Sequence, residues 1–265
     1  MSVVYTTRLE EPEKKYVGAG ASQKGHRTGN ILIDAGKTFY ESALLVFPKY
    51  GLRQIDALLL SHNHCDAANG LDDLRGWTLG GFVQEYIDVY CDQATFHSVR
   101  TMFPFLVDIS KATGGGDLTD QGFKWHVIDP IEPFQIEAGG IQVQALQVEH
   151  GFYSSGLPYY CLGFRIGEFS YISDTSAVPE RTKTLLHGTK VLVLDALRDK
   201  PHPSHFSINQ ALGFVKSLHP PPLQTYLTGF SHDVNHYELE KRLVKDTSIN
   251  ITPCFDGQKV ELDYC

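Results

Sequence analysis

His62, His64 and Asp66 stand at alternate positions directly after the apolar segment 55–60. Side chains at positions i and i+2 of an extended segment point to the same side, so the two imidazoles can hold one ion while the Asp66 carboxylate reaches the same space. Nitrogen and carboxylate ligands suit a borderline divalent cation such as zinc. The simpler alternative is a pair of histidines on a solvated loop, but the spacing after a strand favours a metal site.

The elements that must position these side chains alternate between strands and helices in the first half of the chain. Periodicity and capping residues predict strands over residues 30–34, 55–60 and 87–91, and helices over residues 39–50, 67–75 and 93–103. The metal motif therefore lies in a strand-to-helix loop, where functional groups are commonly carried. Residues 111–122 include three consecutive glycines and are expected to form a flexible excursion.

The second half of the chain has a hydrophobic period of two residues, which is typical of antiparallel hairpins. Two hairpins are predicted, over residues 134–137 with 141–149 and over residues 160–166 with 169–173. The remaining elements are expected in this order: a strand over 191–197, a helix over 207–218 capped by Ser207, a strand over 225–230, a helix over 237–245, and a last hairpin that turns at Asp256 and Gly257.

The motifs resemble, in type and order, those of the metallo-β-lactamase superfamily, whose signature is H-x-H-x-D-H. The resemblance covers most of the chain and rests on residues 30–36, 61–66, 150, 173–175, 202–205 and 228–232. Residues 70–75 look closest to the branch of PhnP-like cyclic phosphodiesterases, with tRNase Z further off. This resemblance implies an α/β (α+β) fold, a four-layer αββα sandwich with a shortened N-terminal region. One domain over residues 1–265 is expected, and its residues 1–29 are atypical and could be flexible.

The resemblance also implies a set of metal ligands. The residues that match the superfamily's first metal site are His62, His64, His150 and Asp174. Asp174 matches the carboxylate that bridges to a second ion, and Asp66 matches a ligand of that second ion. The implied cofactor is one or two divalent ions, zinc or manganese.

The second metal site departs from the superfamily pattern at two positions. Ala67 stands where the last histidine of the signature is expected, and Gly229 stands where the branch often has a histidine. Two readings stay open from the sequence. Either the protein binds one ion only, or His232 completes a rearranged second site with Asp66 and Asp174.

Further residues are implied around the metal. The candidate catalytic residues are Asp66 and His205, and His205 resembles the histidine that acts as general acid in related phosphodiesterases. Imidazole suits this role because its pKa lies near working pH. His202 competes for the role, and Asp195 could orient His205 or simply pair with a backbone amide. Asp34 matches an aspartate that lies beneath the metal motif and fixes the orientation of its loop, although a turn-forming aspartate explains the sequence equally well.

Composition limits the partners that the chain can have. The formal net charge is −8 in 265 residues, which argues against nucleic acid as a partner and leaves a small anionic substrate as the expected one. No apolar run approaches the ~20 residues of a membrane span, and the five scattered cysteines do not suggest a disulfide framework. We expect a soluble cytoplasmic protein, with the nucleus not excluded, and the sequence leaves a homodimer open.

The sequence therefore predicts a metal-dependent hydrolase that cleaves a small or cyclic phosphodiester through metal-bound hydroxide. Within the enzymes, a tRNase Z-like RNA nuclease and a thioester hydrolase are alternatives. An alternative of another class is a metal-binding interaction protein without catalytic activity, because ligand residues can outlast turnover.

Overall fold

The computed structural model describes residues 2–10, 26–113, 122–245 and 248–262. Its contacts divide the chain into two compact units, residues 1–129 with 135–141 and residues 130–134 with 142–265. The expectation of one domain over the whole chain stays a prediction. Within the described ranges, no helix is both long enough and apolar enough to cross a membrane.

The first unit contains a five-stranded sheet. Its strands are β1 (Val3–Glu10), β2 (His26–Ile33), β3 (Ala57–Leu59), β4 (Ile87–Cys91) and β5 (Phe123–Val127). Its helices are α1 (Phe39–Tyr50), α2 (Cys65–Ala68), α3 (Leu71–Arg75), α4 (Gln93–Met102) and α5 (Pro104–Val107). The strand order is β1-β2-β3-β4-β5, with β1 antiparallel to β2 and the other neighbours parallel. The carboxyl ends of β2 and β3 therefore lie at one edge of this sheet.

The second sheet has seven strands. They are β6 (Pro133–Ile136), β7 (Ile141–Phe152), β8 (Pro158–Ile166), β9 (Phe169–Ile172), β10 (Val191–Asp195), β11 (Gln224–Thr228) and β12 (Ile251–Pro253). The helices in this part of the chain are α6 (Glu180–Leu185), α7 (Ile208–Lys216) and α8 (His236–Leu243). The order runs from β12 back to β6, and β9 to β12 are parallel neighbours. The carboxyl end of β9 thus leads into the loop that carries Asp174, and Asp195 is the last residue of β10.

Local sequence explains why the helices begin and end where they do. Phe39 and Phe47 lie on the buried face of α1, and Gly51 ends this helix in the left-handed conformation with φ of 67°. Ser207 caps α7 through a capping box with Gln210, in which each side chain accepts a hydrogen bond from the other residue's backbone N–H. Each unit packs such helices against its own sheet around an apolar core. The predicted fold class, mixed α/β with two sheets and helices, is confirmed.

The N-terminal region contains strand structure that the sequence analysis did not predict. No element is predicted before residue 30, yet β1 pairs antiparallel with β2 from Val3 opposite Ile33 onward, and β2 begins at His26. Tyr5 and Leu9 are buried, whereas the threonines between them are partly or fully exposed. Because three apolar residues, Val3 to Tyr5, precede three polar ones in this edge strand, its hydrophobic alternation is too weak to be recognised in the sequence.

Two further predictions need correction. The helix predicted over residues 67–75 is two short helices, because the backbone N–H of Gly70 donates to the carbonyl of Ala35 at 2.8 Å instead of continuing the helical ladder. The last predicted hairpin turns at Asp256 and Gly257, but residues 258–262 form no strand. The predicted excursion over 111–122 falls largely on residues 114–121, which lie outside the described residues.

Candidate functional site

The loop after β3 brings two histidines of the metal motif together. Their ring centroids lie 4.5 Å apart with the ring planes at 76°. His62 is buried, whereas His64 is exposed. Asp66 lies on α2 and is also exposed, whereas the next residue, Ala67, is buried. The motif thus places two imidazole rings next to each other, one buried and one exposed.

A hydrogen-bonded chain behind His62 fixes the orientation of its ring. The Asp34 carboxylate accepts from the backbone N–H of Ser61 at 2.8 Å and from the Ser61 hydroxyl at 2.8 Å. The Ser61 Oγ also lies 2.9 Å from Nδ1 of His62. Because the hydroxyl proton is donated to Asp34, Oγ must accept from Nδ1–H, which leaves the lone pair of His62 on Nε2. This is the tautomer with which a histidine binds a metal through Nε2.

Asp34 itself stands in the left-handed backbone conformation, with φ of 62°. Aspartate is among the few residues other than glycine that tolerate this region. The backbone N–H of Asp34 donates to the carbonyl of Leu59 at 2.9 Å, which ties the end of β2 to the end of β3. Asp34 therefore forms the turn, and its carboxylate also accepts two hydrogen bonds from Ser61, the residue before His62.

The turn after Asp34 packs directly on the helix that carries Asp66. The backbone N–H of Ala35 donates to the carbonyl of Ala67 at 2.8 Å. A Cβ added to Gly36 would lie 1.8 Å from the backbone oxygen of Asp66, so only glycine fits at this position. This close contact of two backbones holds the first turn of α2 in place beside the histidines.

The substitution Gly36→Ala is expected to destabilise the protein by about 1–3 kcal/mol, the usual cost of overpacking. The reason is that the new methyl group overlaps a backbone atom that cannot move without shifting α2. Urea denaturation measures the effect. Gly213→Ala is the matched control, because an added Cβ there meets nothing within 4 Å and lies within α7. Equal midpoints for Gly36→Ala and wild type would contradict the close packing.

In the second unit, His150 lies at the end of β7 with its ring orientation also fixed. Its Nδ1 lies 2.7 Å from the backbone carbonyl oxygen of Ser204. A carbonyl oxygen only accepts, so Nδ1 carries the proton and Nε2 carries the lone pair. The carbonyl of Glu149 accepts from the backbone N–H of Ser176 at 2.7 Å, and the Ser176 hydroxyl accepts from Gly151 at 3.0 Å. These bonds hold the end of β7 against the loop that follows Asp174.

Asp174, Asp195 and His205 form a compact group at the ends of β9 and β10. One donor atom from each lies within 4.8 Å of the others. His205 Nδ1 lies 3.0 Å from Asp195 Oδ2 and 3.5 Å from Asp174 Oδ1. Both carboxylates are buried, and the His205 side chain is 19% exposed. The proton on Nδ1 thus points at Asp195, and Nε2 is the atom with which His205 can exchange a proton.

Asp195 is held by more than His205. Its Oδ2 also accepts from the backbone N–H groups of Thr175 at 3.0 Å and Phe206 at 3.2 Å. Burial raises the pKa of Asp195 to about 6, while the hydrogen bond and charge of His205 oppose this rise. Both sequence alternatives for Asp195 are therefore present, because the carboxylate pairs with backbone amides and contacts His205.

The backbone conformation and close packing at Gly229 explain why position 229 carries no side chain. Its φ is 78°, a conformation that favours glycine, and an added Cβ would lie 2.9 Å from Oδ1 of Asp195. This Oδ1 is buried and has no hydrogen-bond partner among the described residues. The backbone at Gly229 thus closes over Asp195, and a histidine there would require Asp195 to move.

Three other candidate residues, His232, Asp66 and His202, lie outside the histidine and carboxylate groups described above. His232 is exposed and belongs to none of the metal-donor groups found among the described residues, nor does Asp66. His202 Nδ1 accepts from the backbone N–H of Ser204 at 3.3 Å, and its ring centroid lies 5.2 Å from that of His205. Burial, together with the nearby His205 and Arg198, holds the pKa of His202 below its usual value.

Sequence reasoning missed two residues that orient the histidines, namely Ser61 and Ser204. Ser61 stands inside the motif, so its hydroxyl could have been recognised as the link from Asp34 to His62. Ser204 acts through its backbone carbonyl, for which a sequence carries no signal. His126 lies 2.8 Å from the Asp88 carboxylate and stacks on Tyr90 with ring centroids 4.5 Å apart.

Comparison with known proteins assigns the family. Residues 29–229 match the family model of the beta-lactamase superfamily domain. A curated relative from Porphyromonas gingivalis, named octanoyltransferase, is 29% identical over 236 residues, which is 88% of this chain. The match covers 42% of the relative, so this chain spans less than half of that protein.

Solved structures agree on the fold. A diphosphatase from the PhnP family has 24% identity and a TM-score of 0.72, covering 99% of both chains. Zinc-bound PqqB from Methylobacterium extorquens has 19% identity and a TM-score of 0.64, covering 88% of this chain and 84% of its own. The human short-form tRNase Z has 15% identity and a TM-score of 0.60, covering 100% of both chains. At these identities the similarity shows the fold alone.

The match to the family model extends over three quarters of the chain and includes His62, His64, His150, Asp174 and His205. Metal-dependent hydrolysis is the general activity of this superfamily, and both units hold histidine and carboxylate side chains suited to a metal. The chain therefore belongs to the metallo-β-lactamase superfamily.

Proposed function

We propose that this chain is a metal-dependent phosphodiesterase that acts on a small or cyclic phosphodiester. The observation that carries the proposal is the anchoring of two histidines. His62 and His150 each have Nδ1 tied to an acceptor, through Ser61 in the first unit and the Ser204 carbonyl in the second. Such anchoring fixes the tautomer that binds a metal through Nε2, and it is a regular feature of metal sites.

The metal would be held by His62, His64, His150 and Asp174, with zinc or manganese as the ion. Nitrogen and carboxylate donors in this ratio fit either ion. When bound, such an ion lowers the pKa of water to ~7 and polarises a phosphoryl oxygen. We further propose that one ion suffices, because Ala67 offers no ligand and the backbone at Gly229 has no space for one.

His205 would deliver the proton that the leaving oxygen needs. Its Nδ1–H is held by the buried Asp195 carboxylate, so Nε2 is the atom that gives up the proton. Asp195 fixes the ring and stabilises the imidazolium before the proton leaves, as a carboxylate behind a histidine does in other hydrolases. The substrate would be a small anion, since a cation creates a locally positive site even in a chain of net charge −8.

A thioester hydrolase is the second candidate, and the relative named octanoyltransferase supports it because that name implies an acyl group. Two measurements test the proposal: the first counts the metal ions, and the second distinguishes the two candidate reactions. Elemental analysis of protein purified without chelators is expected to find one zinc or manganese per chain. Under the same conditions, hydrolysis of bis(p-nitrophenyl) phosphate is expected to exceed hydrolysis of octanoyl and acetyl thioesters.

Two results would overturn the proposed function, and a third would contradict the single ion. Metal-loaded protein that hydrolyses thioesters but not the phosphodiester would favour the second candidate. Bound metal with no turnover of either substrate under any divalent supplement would favour a binding protein. Two equivalents of metal per chain would contradict the single ion.

A further inference from the structure

The turn between β7 and β8 exposes an unusual number of large apolar side chains. We define residues 152–160 as the hairpin tip. In it, the side chains of Phe152, Tyr153, Leu157 and Tyr160 are 63%, 52%, 66% and 42% exposed. Exposed apolar side chains that are grouped in one turn are a common feature of binding sites. Four such residues within nine positions therefore call for a functional explanation.

The hairpin tip begins directly beside a proposed metal ligand. The ring of Tyr159 lies 5.8 Å from that of His150, and the ring of Tyr153 lies 5.3 Å from Tyr159 at 88°. Gly151 has φ of 84°, and an added Cβ there would lie 3.0 Å from the side chain of Ser204. The aromatic side chains are thus continuous with the loop that orients His150.

Backbone hydrogen bonds hold the shape of the hairpin tip. Tyr153 donates its N–H to the carbonyl of Leu157 at 2.8 Å, and Gly156 donates to the carbonyl of Tyr153 at 2.9 Å. The apolar side chains are therefore presented on an ordered turn. A surface ordered before binding loses little conformational entropy when a ligand arrives.

The chemistry of the hairpin tip defines what it can bind. Residues 151–160 contain no charged side chain, so they offer no ion pair to a phosphate or a cation. Aromatic and leucine side chains gain free energy by covering apolar surface. The occupant must therefore present an uncharged apolar group while its charged end lies toward His150.

We propose that the hairpin tip binds the apolar organic group of the substrate, the part attached to phosphorus through the ester bond that is not cleaved. This inference rests on the proposed function and adds a substrate class to it, namely phosphodiesters with an alkyl or aryl group of several carbons. Leu157, the most exposed of the four side chains, is expected to contribute directly to this contact.

Calorimetric titration of the protein as purified, with hexyl phosphate and methyl phosphate, tests the inference without requiring turnover. Hexyl phosphate is expected to bind about tenfold more tightly, because its additional carbons can cover apolar side chains of the tip. Leu157→Ser is expected to reduce this preference by about threefold. The matched control is Leu223→Ser, since Leu223 is 67% exposed in the same unit but lies outside the hairpin tip. The control should keep the wild-type preference.

Several outcomes would overturn the inference. Equal affinities for the two phosphates in wild type, absence of binding of both, or equal losses in the two variants would each do so. Sedimentation of wild type as a dimer and of Leu157→Ser as a monomer would assign the hairpin tip to contact between copies of the chain instead. If hexyl phosphate is preferred through Leu157 but no phosphodiester is hydrolysed, then the proposed reaction fails while the apolar site stands.

Discussion

His62→Ala is expected to abolish metal binding and to lower phosphodiesterase activity by about 10³-fold, because a metal contributes several kcal/mol to the stabilisation of transition-state charge. His62 is buried, and the structure orients it through Ser61 and Asp34. The substitution removes one proposed ligand, and the hydrogen bonds of Ser61 and Asp34 then no longer orient a metal-binding side chain. Elemental analysis and steady-state kinetics on the same sample measure the two effects.

Ser61→Ala is expected to weaken metal binding without abolishing it. The substitution keeps His62 but removes the hydroxyl that accepts from Nδ1–H, so metal affinity should fall by about 10–100-fold. Ser170→Ala is the control, because Ser170 is also buried and its hydroxyl bonds to Thr189 at 2.8 Å in the second unit. If Ser61→Ala and Ser170→Ala bind metal equally well, then the hydroxyl does not support the ligand as inferred.

Local sequence signals predicted several elements accurately. The helix predicted over residues 39–50 is observed as Phe39–Tyr50, because apolar spacing and a glycine cap both act within one helix. The strand predicted over 87–91 is also observed as Ile87–Cys91. In contrast, β1 and β5 were not predicted. Both strands are at an edge of the first sheet, where one face carries polar side chains and the hydrophobic alternation is weak.

The candidate site also has a part that the local sequence predicts and a part that it does not. The metal motif is local, so its histidines and their spacing could be recognised directly. The support behind them depends on contacts between distant residues, such as Ser61 with Asp34 across 27 positions and His150 with Ser204 across 54. The second contact uses a backbone carbonyl, which any residue type could supply. Only the folded chain shows which residues orient the two histidines.

His205→Gln is expected to lower kcat for a cyclic phosphodiester with an alkoxide leaving group by about 10²–10⁴-fold, the usual contribution of a general acid. Glutamine is polar and of similar length but cannot release a proton at neutral pH. The metal content should stay at the wild-type value. Hydrolysis of bis(p-nitrophenyl) phosphate should fall much less, because p-nitrophenolate is stable as an anion and leaves without a proton.

This difference between leaving groups separates a proton donor from a metal ligand or a structural residue. A ligand would be needed for both substrates, and its loss would appear in the metal content as well. Asp195→Asn extends the test to the positioning residue, whose carboxylate lies 3.0 Å from His205 Nδ1. It should lower kcat for the alkoxide substrate by a smaller factor and change the pH profile of kcat. Equal losses on both substrates in His205→Gln would show that His205 does not act by giving a proton to the leaving oxygen.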